Sequence, residues 1–437
     1  MIELAEKALK VGLKLGATDV GVLVEKEKFN MVRFSNNEVT LVESDELTEL
    51  TVYLSKGGRR FLASTSNIEE GGIEEFVNRA YESCLRLPKS EEYAPLPSGV
   101  FSYPKNPNYD PRIDEEEFLF SSVESAINSG LEEGGERVAG SLHTVIEEIE
   151  LMTSGGIEAS DRSSYVMLNV RALAGEASGH GLSCSSGLKG FDPEGAGRTA
   201  GRYCRLSKKT GKLEDGLYNL ILSSTVAADL MQHVGYSASA YDFDLGLSFL
   251  CGRLGSKVAP DGFGLYDYGV IEGGLNSRSF DDEGMPTGST PIIEDGVLKG
   301  LLHNSTTAKK HKVKSTGNAG IIVPHPWNLV VREGDMEFEE LIEEAKRGLL
   351  LTNNWYTRFQ DYREGSFSTL PRDATLYFED GEIKYAVKGI RVSDKMPRLL
   401  SSIKGVGKNR VWVMWWEVET PVLSPYLLVE GSRITTV

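Results

Sequence analysis

A chain of 437 residues with 40% hydrophobic and 25% charged side chains is long enough for two or three domains around a large buried core. Its net charge of −17 argues against nucleic-acid binding, which takes a basic surface to displace counterions, and equally against docking on an anionic membrane. No run approaches the roughly 18 apolar residues of a membrane helix, and residues 1–7 show acids rather than the basic start of a targeting segment.

The four cysteines, Cys84, Cys184, Cys204 and Cys251, form no C-x-x-C pair. They read as buried thiols of a reducing, cytoplasmic compartment.

Helical spacing of Ile2, Leu4, Ala5, Ala8, Leu9 and Leu13 predicts a helix ended by Gly16. Four β-type runs follow, Val20–Val24, Val39–Val42, Leu50–Leu54 and Arg60–Ala63, with turn signals at Ser35–Asn37 and Lys56–Gly58. Asn67, with Glu70 three residues on, reads as the cap of a helix reaching Leu87. Residues 1–87 thus form an N-terminal helix–meander–helix domain. Six prolines between Pro88 and Pro111 block regular ladders, so residues 88–112 read as a linker over the surface.

In the central region, 113–215, an acidic helix from Asp114 to Leu131 precedes strands at His143–Leu151 and Tyr165–Leu173. A Gly/Ser-rich loop, Gly175–Gly190, and a short helix, Arg198–Cys204, complete it. Residues 216–437 read as a larger β-rich domain. It opens with a strand, Tyr218–Leu222, a capping cluster Ser223–Thr225 and a helix, Val226–His233. Short glycine-punctuated strands follow, interrupted by helices at Phe338–Gly348 and Lys395–Ser402. The fold class is α+β, with largely antiparallel sheets and flanking helices.

Two segments carry the functional argument: Asp229-Leu-Met-Gln-His-Val-Gly-Tyr236 and Ser248-Phe-Leu-Cys-Gly-Arg253. They resemble the Tld family of metallopeptidases, with its TldD and TldE (PmbA) branches. The catalytic branch reads H-E-x-V-G-H followed by S-F-L-x-G-R. The resemblance sets Met231 and Tyr236 at the two histidines and Gln232 at the glutamate. Phe280-Asp-Asp-Glu-Gly-Met-Pro-Thr287, Trp355-Tyr-Thr-Arg-Phe-Gln-Asp361 and Gly365-Ser-Phe-Ser368 extend the likeness, mostly to the TldE branch.

The residues at the degenerate positions, Met231, Gln232 and Tyr236, cannot do the catalytic branch's chemistry. A thioether is a poor ligand for a hydrolytic zinc. An amide has no proton affinity to serve as general base. A phenol ligates only after losing a proton of pKa about 10. The catalytic branch also uses a cysteine near its C-terminus, whereas the corresponding stretch here, Lys408–Pro421, carries Trp412, Trp415 and Trp416. No catalytic residue and no metal ligand is therefore assigned to this chain. Ligands five apart lie roughly 140° apart on an ideal helix, so the family must distort it there; Gly235 permits such a bend or serves close packing.

His233, on the same helix, reads as a packed residue or as a contact to a cavity or peptide. His303, His311 and His325 lack ligand spacing. Asp281, Asp282 and Glu283 read as loop scaffolding, with Arg278 near enough to pair, or as a cavity wall. Trp355, Tyr356, Arg358 and Phe359 form an aromatic–cation cluster suited to an interface core or to a peptide groove, the interface being preferred. No G-x-S-x-G elbow or phosphate loop occurs.

The resemblance implies a non-metal subunit of a heterodimeric metalloprotease that degrades unfolded peptides. A TldD-like partner would hold the metal, a zinc ion, and this chain would need no cofactor of its own. The alternative is a non-enzymatic homodimer that binds peptides or regulates another protein. A third reading, action on DNA topology, follows the family's older label as a modulator of DNA gyrase, and the charge balance opposes it.

Overall fold

The first strand sets the frame. In the computed structural model, which describes residues 1–69 and 71–436, α1 (Ile2–Lys14) leads into β1 (Asp19–Ser35), which folds back as β2 (Glu38–Lys56) and then β3 (Arg59–Thr65). Both turns fall where the sequence signals them, with positive φ at Asn36 and Asn37 and at Gly57 and Gly58. The strands run far beyond the apolar stretches that announce them, because Glu25-Lys-Glu-Lys28 interrupts the hydrophobic pattern of β1 without ending its pairing to β2.

α2 (Gly72–Arg86) begins after Gly71, so the cap expected at Asn67 is corrected: Asn67 Oδ1 accepts from the Glu69 amide instead (3.5 Å). Its expected partner, Glu70, lies outside the described residues. Residues 88–110 carry no helix or strand and end in a 3₁₀ turn, Pro111–Asp114.

α3 (Glu116–Glu132) is followed by two long strands, β4 (Arg137–Thr153) and β5 (Glu158–Ala174), then β6 (Ala177–Ser185) and α4 (Pro193–Leu206). The loop expected over 175–190 is therefore corrected, its middle from Ala177 to Ser185 being a strand. Its glycines explain both the structure and the misreading. A Cβ on Gly179 would stand 2.2 Å from the Ala200 carbonyl oxygen, and one on Gly181 2.1 Å from that of Ala196. The bare backbone lets α4 lie directly on the strand.

All six strands form one antiparallel sheet, β3-β2-β1-β4-β5-β6. Strands from residues 1–87 and from 113–215 share it. Side chains alternate across it: Val20, Val22 and Val24 of β1 bury against α1 and α2, and Val32 and Phe34 further along bury with α3 and α4. Leu23, on the opposite face, packs instead with Phe280 of the C-terminal half.

That half begins with β7 (Gly216–Leu222), α5 (Ser224–Ser237) and α6 (Ala240–Asp244). Next come β8 (Leu265–Tyr268), β9 (Ser289–Glu294), β10 (Val297–Leu298), α7 (Ser305–His311), β11 (Asn328–Val331) and α8 (Phe338–Ala345). A run of strands follows: β12 (Arg347–Leu351), β13 (Asn354–Asp361), β14 (Ser366–Pro371), β15 (Leu376–Glu379), β16 (Glu382–Ala386) and β17 (Ile390–Lys395). The chain ends with α9 (Met396–Ser401), β18 (Ile403–Val406), β19 (Val411–Trp415), β20 (Val418–Ser424) and β21 (Leu427–Thr436).

They make a six-stranded sheet, β10-β9-β8-β11-β20-β19, and a nine-stranded one running from β13 to β16, with β18 paired to β21. Pairing is antiparallel except where β11 meets β20 and β7 meets β12. The fold is thus the expected α+β arrangement. Helix α5 shares one hydrophobic core with strands of both C-terminal sheets. The halves are joined by Arg171, whose guanidinium donates to both oxygens of the fully buried Asp373 carboxylate (Nη2–Oδ1 2.6 Å, Nε–Oδ2 3.1 Å).

Candidate functional site

Helix α5 starts at Ser223, whose Oγ accepts from the Val226 amide, the capping the sequence foretells. It runs as regular α-helix through Gly235 to Ser237. Gly235 is there for packing, not for a bend: a Cβ would sit 2.6 Å from Leu329 Cδ1. Met231 is fully buried in the core between the sheets.

Gln232 is buried as well, and both ends of its amide are taken. Nε2 donates to the Glu417 carbonyl (2.5 Å) and to Asp229 Oδ1 (3.1 Å), while Oε1 accepts from the Glu419 amide (3.0 Å). The side chain thus pairs with the β19–β20 turn as a neighbouring strand would. The Lys408–Pro421 stretch does lie against α5, and a backbone clamp joins them. Tyr236 OH accepts from Thr420 Oγ1 (3.1 Å) and is held above its ordinary pKa first by burial.

One turn before Gln232, Asp229 is buried completely. Its carboxylate accepts from Thr357 Oγ1 (2.6 Å) and Asn354 Nδ2 (2.5 Å) on β13 as well as from Gln232. Burial raises its pKa to about 6 against the pull of these donors. Sequence reading missed Asp229; its signal is an acid inside the otherwise apolar run from Val226 to Met231.

His233 stands 3.8 Å from Asp229 and its ring packs 4.8 Å from Phe359. Burial pushes its pKa down to about 4, so it is neutral at physiological pH. His233 and Tyr236 form the shared wall of two adjoining cavities. One, of about 210 Å³, is lined by Asp229, Gln232, Arg358, Glu417 and Glu419 among others. The other, of about 380 Å³, is bounded by Asp242, Leu247, Phe359 and Tyr362.

Trp355 and Tyr356 gather with Trp416, the ring of Trp355 lying 4.5 Å from Trp416 and 5.8 Å from Trp415. Tyr356 and Trp416 are about half exposed. Of the interface candidates, then, Trp355 and Tyr356 join this surface cluster, whereas Arg358 and Phe359 line the cavities.

Asp281, Asp282 and Glu283 line neither cavity. Asp281 accepts from the amides of Glu283, Met285 and Ala319 and is buried, and Glu283 accepts from the Ser305 amide that opens α7. Asp282 stands 3.1 Å from buried Arg278, which also faces Glu25 of β1 (3.9 Å). His303 and His311 do meet, with ring centroids 5.1 Å apart, and His311 bonds Asp244 (2.8 Å).

These side chains do not fit the divalent metal of a hydrolytic centre. Met231 faces the core, both amide ends of Gln232 are committed to backbone, and the Tyr236 hydroxyl is held protonated. Among the described residues no group of three His, Cys, Asp or Glu side chains is arranged to hold a metal ion, and no helix is long and apolar enough to cross a membrane.

Three family models match the chain in order: PmbA/TldA metallopeptidase domain 1 over residues 20–84, the central domain over 106–205 and the C-terminal domain over 215–436. A protein named metalloprotease from Methanothermobacter thermautotrophicus is 28% identical over 292 residues, 62% of this chain and 64% of the relative. Metalloprotease PmbA of Escherichia coli O157:H7 is 28% identical over 221 residues, 50% of this chain and 47% of the relative. The matched region thus spans less than two thirds of either relative's length.

In fold, the chain is similar to TldE from Thermococcus kodakarensis, with TM-score 0.87 at 20% identity over 99% of this chain and 100% of that one. It is also similar to a Thermotoga maritima MSB8 protein described as a candidate modulator of a DNA gyrase, with TM-score 0.85 at 23% identity over 99% and 100%.

Proposed function

The chain belongs to the PmbA/TldA metallopeptidase family, and we propose that it acts there as a TldE-like subunit that carries no catalytic metal. A TldD-like partner supplies the metal, a zinc ion, and the H-E-x-x-x-H helix. The pair degrades unfolded peptides in the cytoplasm. This chain contributes the cavity wall built on α5 and β13, and the Trp355–Tyr356–Trp416 surface meets the partner.

The observation that carries the reading is the state of Gln232. A side chain at the general-base position that spends both amide ends on the backbone of Glu417 and Glu419 is built to hold β20 against α5, with nothing left to activate water. The neighbouring Met231 position is core. The edge strand β13, hydrogen-bonded to β14 alone within its sheet, suits an extended peptide that adds as a strand.

Co-expression with a TldD-like chain from the same genome tests this. The expected result is one co-eluting species that hydrolyses unfolded peptide, with neither chain active alone. Self-dimers that ignore the TldD-like chain would contradict it and favour a homodimeric peptide-binding or regulatory protein.

A further inference from the structure

The double cavity beside α5 has a chemical bias that the subunit reading leaves unspecified. Its larger lobe is walled by aromatic rings: Phe359 and Tyr362 stack at 5.6 Å with planes 9° apart, and His233 lies 4.8 Å from Phe359. At about 380 Å³ it falls in the roughly 300–1,000 Å³ range of small-ligand sites.

Carboxylates flank the rings from two directions. Asp242 of α6 borders the aromatic lobe, and Glu417 and Glu419 border the polar one. Arg358, the arginine on that wall, leans toward Glu417 at 4.0 Å with 68% of its side chain exposed. Asp242 and Glu419 have no basic side chain within ion-pairing distance among the described residues, and His233 is neutral there.

Resting on the reading of the chain as a peptidase subunit, we propose that this cleft is a subsite for a cationic peptide side chain, lysine or arginine. The aliphatic stem lies along Phe359 and Leu247. The charge sits over the aromatic faces and within reach of Asp242 or Glu419, since ring faces attract cations and long basic side chains bury their stems while keeping the head at polar groups. An anionic ligand would meet these carboxylates, and a purely aliphatic one would leave them without a counter-charge.

The test uses the full chain alone and two fluorescein-labelled acetylated pentapeptides, alanine throughout except for a central lysine or a central norleucine, followed by fluorescence anisotropy at low salt. The lysine peptide is expected to bind about tenfold more tightly. Asp242→Asn combined with Glu419→Gln should abolish that preference while leaving the norleucine peptide's affinity unchanged. Glu419 is exposed and Asp242 half-buried, so a thermal melt checks that the variant is folded.

Equal binding of the two peptides, no binding of either, or a double variant that keeps the preference would overturn the proposal. The measurement needs no partner chain. A failed subsite therefore leaves the subunit reading standing, and a chain that selects lysine yet pairs with no TldD-like partner keeps the subsite and loses the subunit reading.

Discussion

Gln232 Nε2 lies 2.5 Å from the carbonyl oxygen of Glu417, and Gln232 Oε1 lies 3.0 Å from the amide of Glu419. One side chain thus fastens α5 to the turn between β19 and β20.

Gln232→Glu is therefore expected to damage the fold and to leave the chain without hydrolytic activity. A carboxylate there loses the donor to Glu417 and sets a second anion beside buried Asp229. The expected cost is about 3 kcal/mol, read as a lower urea midpoint with an unchanged slope. Unchanged stability would show that the clamp is dispensable.

Gly235→Ala tests the packing role of the glycine. Its Cβ would press on Leu329 Cδ1 at 2.6 Å, and overpacking of this kind costs about 1–3 kcal/mol. A distortion-tolerant helix would absorb the methyl with no change in melting temperature.

Arg171→Ala tests the joint between the halves. It strands the buried Asp373 carboxylate, whose pKa burial would raise but whose bonds to Arg171 hold below the ordinary range. Removing one partner of such a pair costs on the order of 3 kcal/mol. Asp373 contributes stability above its unfolded pKa and loses it as pH falls through the depressed folded value, so the difference between wild type and variant should shrink in acid.

Across neutral pH the sign reverses. Burial, the leading cause in each case, raises Glu25, Asp267 and Glu283 to about 7 and Asp229 to about 6. A carboxyl whose folded pKa exceeds its unfolded value stabilises fully below the unfolded value, and that stability is lost as pH rises through the folded one. His180, His233 and His303, held to about 4 by burial, act oppositely, restoring stability as pH rises toward their ordinary 6.5. Above that value the histidine contribution fades while the carboxyls raised to about 7 still titrate. Unfolding free energy should therefore fall between pH 6.5 and 8, as measured by urea denaturation; a rise across that window would show that these carboxyls are ionised throughout.

How much of this is legible in the sequence depends on how locally each feature is encoded. The turn at Asn36–Asn37 and the Ser223 cap announce themselves, because turn and cap chemistry sits in a few consecutive residues. The lengths of β1, β4 and β5 do not, since their polar middles are held by pairing across the sheet, β1 with β4 and β4 with β5. Strand β6 is hidden by glycines that the close packing of the next helix, α4, requires. Strands β12 and β13 escape the sequence reading because their burial, set by neighbouring strands, does not follow a period of two.

At the site, that Met231, Gln232 and Tyr236 offer no ready metal ligand or general base is legible in the residue types. That Gln232 serves as a clamp, and that Asp229 anchors Asn354 and Thr357 beneath it, depends on contacts more than a hundred residues apart.

The most direct test pairs metal analysis with peptide hydrolysis on the purified chain, alone and after reconstitution with an H-E-x-x-x-H partner. The chain alone should hold no stoichiometric divalent metal and cleave no unfolded peptide, with both metal and activity appearing in the reconstituted pair. A lone chain that carries one metal per molecule and hydrolyses peptide would contradict the account.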